Sequence, residues 1–251
     1  MTAMTCEAYI INALAPFTKC QPLKDGIRVS TQVLYPDGDG VSVVVFRDGD
    51  GYRVSDDGLG WSDLITNGID INKVFLRKAE AVARDMGLAL VKGAFVAPNV
   101  SEGQLGAAIV IVANASQRWV YEALRDHQQQ VERTLKTKVN EALALIFPKN
   151  AIKLNEVIDG DSTKSHRISN IVHLDGRRIL VDSVVNNPIS IASTFLKFSD
   201  IGKGHPDYGR EAVVEDLDHW NAEDVNILAN VTAGITDIEA GLDGMRQRYR
   251  V

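Results

Sequence analysis

The chain has 251 residues, of which 45% are hydrophobic and 24% charged, and its 27 basic and 33 acidic side chains leave a formal net charge of −6. This composition is typical of a folded globular protein and excludes a disordered or collagen-like chain. The longest uncharged stretches, such as residues 105–117, are shorter than the roughly 18 apolar residues that span a bilayer, so we expect no membrane segment. Without a visible secretory signal we expect a cytoplasmic location, with Cys6 and Cys20 reduced.

The first part of the chain has strand patterns between helical ones. Alternating apolar side chains and β-branched runs predict a three-stranded antiparallel meander, because a half-buried strand has a period of two residues. Two Asp-Gly-Asp-Gly connections supply the glycines that tight hairpin turns require. The predicted elements are a helix over residues 6–14, strands over 27–35, 41–47 and 51–55, helices over 60–66 and 71–86, and a strand pair over 88–91 and 94–97. They form a small α+β unit, which we assign to residues 1–115.

The rest of the chain begins with a long helical pattern. Residues 101–146 have helical spacing except for a polar stretch at 125–128, where we predict a break. The predicted elements that follow are strands over residues 152–158, 166–174 and 178–185, a helix over 190–198, a strand over 212–217, and helices that start at Asn221 and Thr236. We assign this αβββαβα series to a second domain over residues 116–251. The predicted fold class of the whole chain is α+β.

The order αβββαβ over residues 125–217 resembles the restriction-endonuclease-like fold. The resemblance implies an acidic residue on the second strand and an Asp/Glu-x-Lys tripeptide on the third, because paired carboxylates hold a divalent metal while the lysine orients the attacking water. Here residues 168–170 of the second strand, Ile-Ser-Asn, include no carboxylate. On the third strand Asp182 is followed two positions later by Val184, where the tripeptide has lysine. We therefore expect a degenerate domain without a metal cofactor.

A metal-dependent nuclease with relocated ligands is the alternative, and it would use Mg²⁺ or Mn²⁺. The residues that could approach the candidate ligand Asp182 across the sheet are Asp159, Asp161 and His166, with Lys164 or Lys197 as the cation. The competing interpretation is structural. The sequence Asp-Gly-Asp-Ser at residues 159–162 is typical of a turn, and Asp182 would point outward from an alternating strand to avoid burial of its charge. We favour the structural interpretation.

The front unit is acidic, since aspartates far outnumber basic residues between residues 37 and 70. The aspartates that we predict to bind a partner are Asp37, Asp39, Asp48, Asp50, Asp56 and Asp57. Residues 29–31 (Val-Ser-Thr), 36–39 (Pro-Asp-Gly-Asp) and 52–58 (Tyr-Arg-Val-Ser-Asp-Asp-Gly) resemble a family of bacterial and phage proteins of unknown function. In that family a small acidic module precedes a degenerate restriction-type domain. The resemblance implies a setting in phages or mobile elements, with a role in defence or counter-defence.

The leading prediction is a non-catalytic protein that binds a protein partner through the acidic module, for example as a DNA mimic that occupies a site built for phosphates. A further hypothesis is nucleic-acid binding through the basic residues of 125–149 and the C-terminal tail, which carries Arg246, Arg248 and Arg250. The amphipathic part of the long helix could also pack against a second copy of the chain and form a homodimer.

Overall fold

The computed structural model describes residues 18–249, and the helix predicted over residues 6–14 lies outside them. The described fold divides between His127 and Gln128 into two units, each with its own sheet. The predicted boundary at residue 115 comes earlier in the chain, because Trp119 and Ala123 still belong to the first core. Within the described range, no helix combines the length and the apolar character needed to cross a membrane.

The first unit is built on an antiparallel sheet. Its elements are β1 (Cys20–Leu23), β2 (Gly26–Leu34), β3 (Gly40–Asp48), β4 (Gly51–Ser55), α1 (Leu59–Thr66), α2 (Lys73–Asp85), β5 (Ala89–Val91) and β6 (Ala94–Val100). The strand order is β1-β2-β3-β4-β6-β5, and every neighbouring pair is antiparallel. The predicted meander of β2, β3 and β4 is confirmed. Strand β1 was not predicted, because four mostly exposed residues have no alternating pattern.

One face of this sheet carries the first core. Val41, Val43 and Val45 alternate along β3 and belong to this core, while Val44, on the other face of the strand, is also buried. The core is covered by α1, α2 and the first part of α3 (Leu105–Ile146). Trp119 of α3 is fully buried, and its ring centroid lies 5.9 Å from that of Phe95 in an edge-to-face arrangement.

Helix α3 is continuous, so the break predicted at residues 125–128 is wrong. The sequence there, Arg-Asp-His-Gln, contains neither glycine nor proline, and polar side chains are compatible with the exposed side of a helix. Polarity alone therefore does not end a helix. The later part of α3 contributes Leu135, Val139 and Leu143 to the core of the second unit.

The second unit is built on a mixed sheet. Its elements after α3 are β7 (Ile152–Asp159), β8 (Ser165–Leu174), β9 (Arg177–Ser183), α4 (Pro188–Gly204), β10 (Gly209–Val214), α5 (Ala222–Ala229), β11 (Gly234–Asp237) and α6 (Asp243–Tyr249). The strand order is β11-β10-β9-β8-β7, antiparallel from β7 to β9 and parallel from β9 to β11. The helix predicted to start at Thr236 is wrong, because this residue lies in β11 and the next helix begins at Asp243.

Strand β9 is buried on both faces. Ile179 and Val181 pack with residues of α3, whereas Leu180 packs with Phe198 and Ile201 of α4. This double cover explains the continuous apolar run of the strand. It also places the polar residue that ends the run, Asp182, at the point where both helices meet the sheet.

Candidate functional site

A cavity of about 340 Å³ opens in the second unit where α3, β8, β9 and α4 meet. Its charged lining residues are Glu132, Arg133 and Lys136 from α3, Asp182 from β9 and Lys197 from α4. Its hydroxyl-bearing lining residues are Ser169 from β8, Ser183 from β9, and Ser190, Ser193 and Thr194 from α4. The lining thus combines cations with many short hydrogen-bond donors.

Asp182 is the buried carboxylate of this cavity, with 4% of its surface exposed. A buried carboxylate is costly unless it is paired. Its partner is Lys197, whose Nζ donates a hydrogen bond to Oδ2 of Asp182 and whose side chain is 18% exposed. The predicted outward orientation of Asp182 is therefore wrong, and the two side chains form a largely buried ion pair.

The lysine reaches Asp182 because of the way α4 begins and packs. Asn187 caps the helix, with its Oδ1 accepting a hydrogen bond from the backbone N–H of Ser190 at 2.8 Å, and Pro188 fits the first turn. The face of α4 that packs on the sheet is formed by Ile191, Thr194, Phe198 and Ile201. Lys197 lies beside this face. Strand β9 lacks the lysine of the Asp/Glu-x-Lys tripeptide, and Lys197 of α4, the helix that follows the strand, places a cation beside Asp182 instead.

The cationic side of the cavity comes from α3. Lys136 donates to Oδ1 of Asn155 on β7 at 2.5 Å, and Glu132 lies one helical turn before it. Arg133 is exposed. Three cations in the lining stand against two carboxylates, so the cavity is net positive although the chain is net negative. Arg133 and Lys136 belong to the basic segment 125–149 that the sequence analysis singled out.

Three of the sequence-predicted candidates, Asp161, Lys164 and His166, do not line this cavity. His166 instead pairs with Asp200 of α4, its Nε2 lying 2.7 Å from Oδ2. Ser162 donates to the same carboxylate from its backbone N–H at 2.8 Å and from its Oγ at 2.7 Å. The hydrogen bonds from Ser162 and His166 hold the pKa of Asp200 at about 2.

Residues 159–162 begin the turn between β7 and β8, as predicted, with the N–H of Thr163 bonded to the carbonyl of Gly160 at 3.0 Å. The hypothesis that Asp161, Lys164 and His166 are relocated ligands of Asp182 is not supported by this placement. His166, Ser162 and the backbone N–H of Asp161 instead connect the hairpin to Asp200 of α4.

The predicted acidic surface of the first unit is not one surface. Asp37 and Asp39 lie between β2 and β3, whereas Asp48 and Asp50 lie at the other end of β3. The nine residues of β3 separate these turns by roughly 30 Å at the usual rise of a strand. Each turn therefore presents its carboxylates at its own end of the sheet.

Asp56 does not belong to the surface either, because it is fully buried, while its neighbour Asp57 is exposed. Its carboxylate accepts hydrogen bonds from the N–H of Phe95 at 2.8 Å and from Oγ of Ser116 at 2.7 Å. Burial raises the pKa of Asp56, and these hydrogen bonds oppose the shift. Asp56 thus joins β6 and α3 within the first core.

A smaller cavity of about 250 Å³ in the first unit brings Asp63 of α1 near the turn between β2 and β3. Partial burial and the charges of Asp37 and Asp39 raise the pKa of Asp63 to about 6. The aspartates at this end therefore repel one another at neutral pH.

The C-terminal tail is less available to a polyanion than the sequence suggested. Arg248 makes a bidentate contact with the buried carboxylate of Glu211, at 2.9 Å from Nε and 2.7 Å from Nη2. Oη of Tyr249 donates to the same carboxylate at 3.0 Å. Arg250 lies outside the described residues. Arg248 thus connects α6 to β10, and nucleic-acid binding by the tail stays a prediction.

Sequence reasoning named Lys197 only with Lys164 as a possible cation of the alternative metal site, and it did not predict the direct pairing of Lys197 with Asp182. A signal was present, because Lys197 is the one charged residue between positions 188 and 199. A lone cation between Leu196 and Phe198 on an apolar helix favours a buried partner. The identity of that partner, on another element, cannot be read from the sequence.

Comparison with known proteins adds little. No family model matches the chain. No curated protein matches it either. The crystal structure of a protein of unknown function, AF1548, aligns with 38% of this chain and 56% of its own at 17% identity and a TM-score of 0.29. A similarity this low supports no conclusion about fold or function.

Proposed function

We propose that the second unit is a restriction-endonuclease-like domain that binds a phosphate group of a nucleic acid in the Asp182 cavity and does not hydrolyse it. Support for the fold comes from the series α3, β7, β8, β9, α4 and β10, with three antiparallel strands followed by a parallel one. In this arrangement the end of β9, between α3 and α4, corresponds to the position at which nucleases of that fold act.

The lining of the cavity is the observation that carries the proposal. A phosphate offers only acceptor oxygens and negative charge, so it is matched by cations and by hydroxyl or backbone donors. Arg133, Lys136 and Lys197 supply the cations, and Ser190 and Ser193 supply hydroxyls at the first turns of α4.

The donor set fits a resident divalent metal poorly. Mg²⁺ in such sites is usually held by one or two carboxylates together with substrate phosphates. Here Asp182 is paired with the ammonium of Lys197, and the other carboxylate of the lining, Glu132, is exposed on α3. Among residues 18–249, no three His, Cys, Asp or Glu side chains form a group that could hold a metal ion. Phosphate binding by cations requires no such group.

A binding assay tests the proposal with the exposed Arg133 and the half-buried Lys136, neither of which belongs to the hydrophobic core, so that folding is preserved. The double variant Arg133→Gln/Lys136→Gln removes two cavity cations, and Lys149→Gln/Lys203→Gln removes two exposed cations that do not line the cavity. We expect the cavity variant to bind a labelled oligonucleotide at least about tenfold more weakly in fluorescence anisotropy, and the control to bind like the unaltered protein.

Two results would contradict the proposal. Equal loss of affinity in both double variants would mean that only overall charge matters. Cleavage of DNA or RNA with Mg²⁺ or Mn²⁺ that disappears in Asp182→Asn would mean that the site is a nuclease centre, which is the alternative function.

The protein-binding role of the acidic module stays a prediction, as does a setting in phage or mobile-element defence. Because the acidic turns lie at opposite ends of β3, a basic partner would contact one end at a time. The end with Asp37, Asp39 and Asp63 has the denser negative charge.

A further inference from the structure

The outer face of α4 has an unusual composition for an exposed helix face. Ile189 and Leu196 are 79% and 66% exposed, and Ser193 lies between them on the same side at steps of four and three residues. From Pro188 to Leu196 this helix has no charged residue. An exposed helix face normally carries charges. The uncharged strip formed by Ile189, Ser193 and Leu196, called here the apolar strip, is therefore a candidate contact surface for a partner.

The apolar strip borders the cavity. Ile189 and Ser193 are part of the cavity lining, and Leu196 precedes Lys197 in the chain. An occupant that fills both would need a negatively charged group for the cavity and an apolar surface for the strip, a few ångströms apart.

We infer that the apolar strip receives an unpaired base of a single-stranded nucleic acid whose phosphate occupies the cavity; this rests on the proposed function. A nucleotide joins a phosphate to a flat base, and proteins that bind single strands combine a basic groove with aromatic side chains on which bases stack. Here the aliphatic Ile189 and Leu196 would cover the base face in their place. In a duplex the base faces are stacked on one another, and an aliphatic side chain meets only groove edges unless it wedges a step open. Charge complementarity at the cavity favours this occupant over a protein.

The inference is tested with Ile189→Ala/Leu196→Ala. Both side chains are exposed, so the substitutions leave the fold intact. The matched control is Leu145→Ala/Leu154→Ala, which truncates two aliphatic side chains that are 83% and 54% exposed and do not line the cavity. The probes are a labelled oligothymidylate and a duplex of the same length, measured by fluorescence anisotropy at fixed salt.

We expect the unaltered protein to bind the single strand more tightly than the duplex. The strip variant should lose roughly tenfold in affinity for the single strand, because it lacks two aliphatic side chains that a bound base would partly cover. It should keep its affinity for the duplex. The control variant should behave like the unaltered protein.

Other outcomes overturn the inference in distinguishable ways. Equal affinity for both probes, or an unchanged single-strand affinity in the strip variant, overturns the base-binding strip and leaves phosphate binding intact. Failure of the unaltered protein to bind either probe overturns the proposed function as well. A dimer in light scattering that becomes a monomer in the strip variant assigns the strip to a second copy of the chain and also overturns it.

Discussion

Asp56, Asp182 and Glu211 are buried carboxylates, and each has a different set of donors. Asp56 uses backbone N–H groups and a serine, Asp182 uses the ammonium of Lys197, and Glu211 uses a guanidinium with a phenol. The first and third sets hold elements together. The second lines a cavity, and for that reason it is the one with which a ligand could exchange contacts.

We expect removal of one partner of the Asp182–Lys197 pair to lower the free energy of unfolding strongly. Removal of one partner of a buried pair leaves an uncompensated charge, so Lys197→Met should lower the free energy of unfolding by about 3 kcal/mol. The double variant Asp182→Asn/Lys197→Met leaves no such charge and should lose distinctly less. Urea denaturation at pH 7 measures both.

An exposed lysine of the same helix provides the control for this prediction. Lys203→Met should change the free energy of unfolding by less than about 0.5 kcal/mol. If Lys197→Met were as mild as this control, the pair would not be buried in solution and the description of the cavity would be wrong.

Asp63, at the acidic end of the first unit, makes the stability of the fold depend on pH with a definite sign. The pKa of Asp63 is about 6 in the folded chain, against the usual value of 3.8 that applies to the unfolded chain. Between pH 3.8 and about pH 6 the folded state therefore binds more protons than the unfolded state. Stability is therefore lost as the pH rises through this window. Since Asp63 is only half-buried, solvent screening reduces the effect to about 1 kcal/mol.

Asp63→Asn should therefore stabilise the protein by up to about 1 kcal/mol at pH 8, where the carboxylate of Asp63 would be repelled by Asp37 and Asp39. At pH 3.5, where the carboxyl group is mostly protonated in both states, the substitution should have little effect. Urea denaturation at the two pH values measures the difference. A gain that is the same at both would contradict the repulsion.

At the level of elements, a glycine sets the approach of α1 to α3. A Cβ added at Gly60 would lie 2.6 Å from Oγ of Ser116 and 3.3 Å from Cγ2 of Val120. Ser116 bonds both Asp56 and Oη of Tyr35, the latter at 2.8 Å, so it cannot move without loss of these contacts. Gly60→Ala should therefore lower the free energy of unfolding by about 2 kcal/mol.

A second helical glycine gives the opposite expectation. Gly106 of α3 has open space where a Cβ would be, so Gly106→Ala should raise the free energy of unfolding by about 0.5 kcal/mol, the difference in helix propensity. Thermal or urea unfolding compares the two variants. Similar effects of both substitutions would argue against the close contact of α1 with α3.

Elements with strong periodicity were the ones that the sequence could predict. The meander of the first unit and the αβββαβ order of the second follow from alternating or continuous apolar runs between turns. Two short strands, β1 and β11, were missed because four residues carry too little pattern, and at β11 a Thr-x-x-Glu spacing imitates a helix cap. The site could be predicted only in part: Asp182 and Lys197 were both named as candidates of the alternative site, whereas their direct pairing depends on the packing of α4.

At the level of the whole molecule, net charge is a poor guide to where an anion would bind. The chain has a net charge of −6, with aspartates concentrated in the first unit, yet the cavity of the second unit has three cations against two carboxylates. Electrostatic attraction of a phosphate depends on the local field, which falls off within about 10 Å at moderate salt.

The salt dependence of nucleic-acid binding shows whether the Asp182 cavity binds phosphate, because each phosphate contact contributes to the slope of log K against log salt concentration. We predict that Arg133→Gln/Lys136→Gln reduces the magnitude of this slope by the amount expected for the loss of roughly two phosphate contacts. Lys149→Gln/Lys203→Gln should leave the slope unchanged. A slope that is the same in the unaltered protein and in the cavity variant would contradict phosphate binding at the Asp182 cavity.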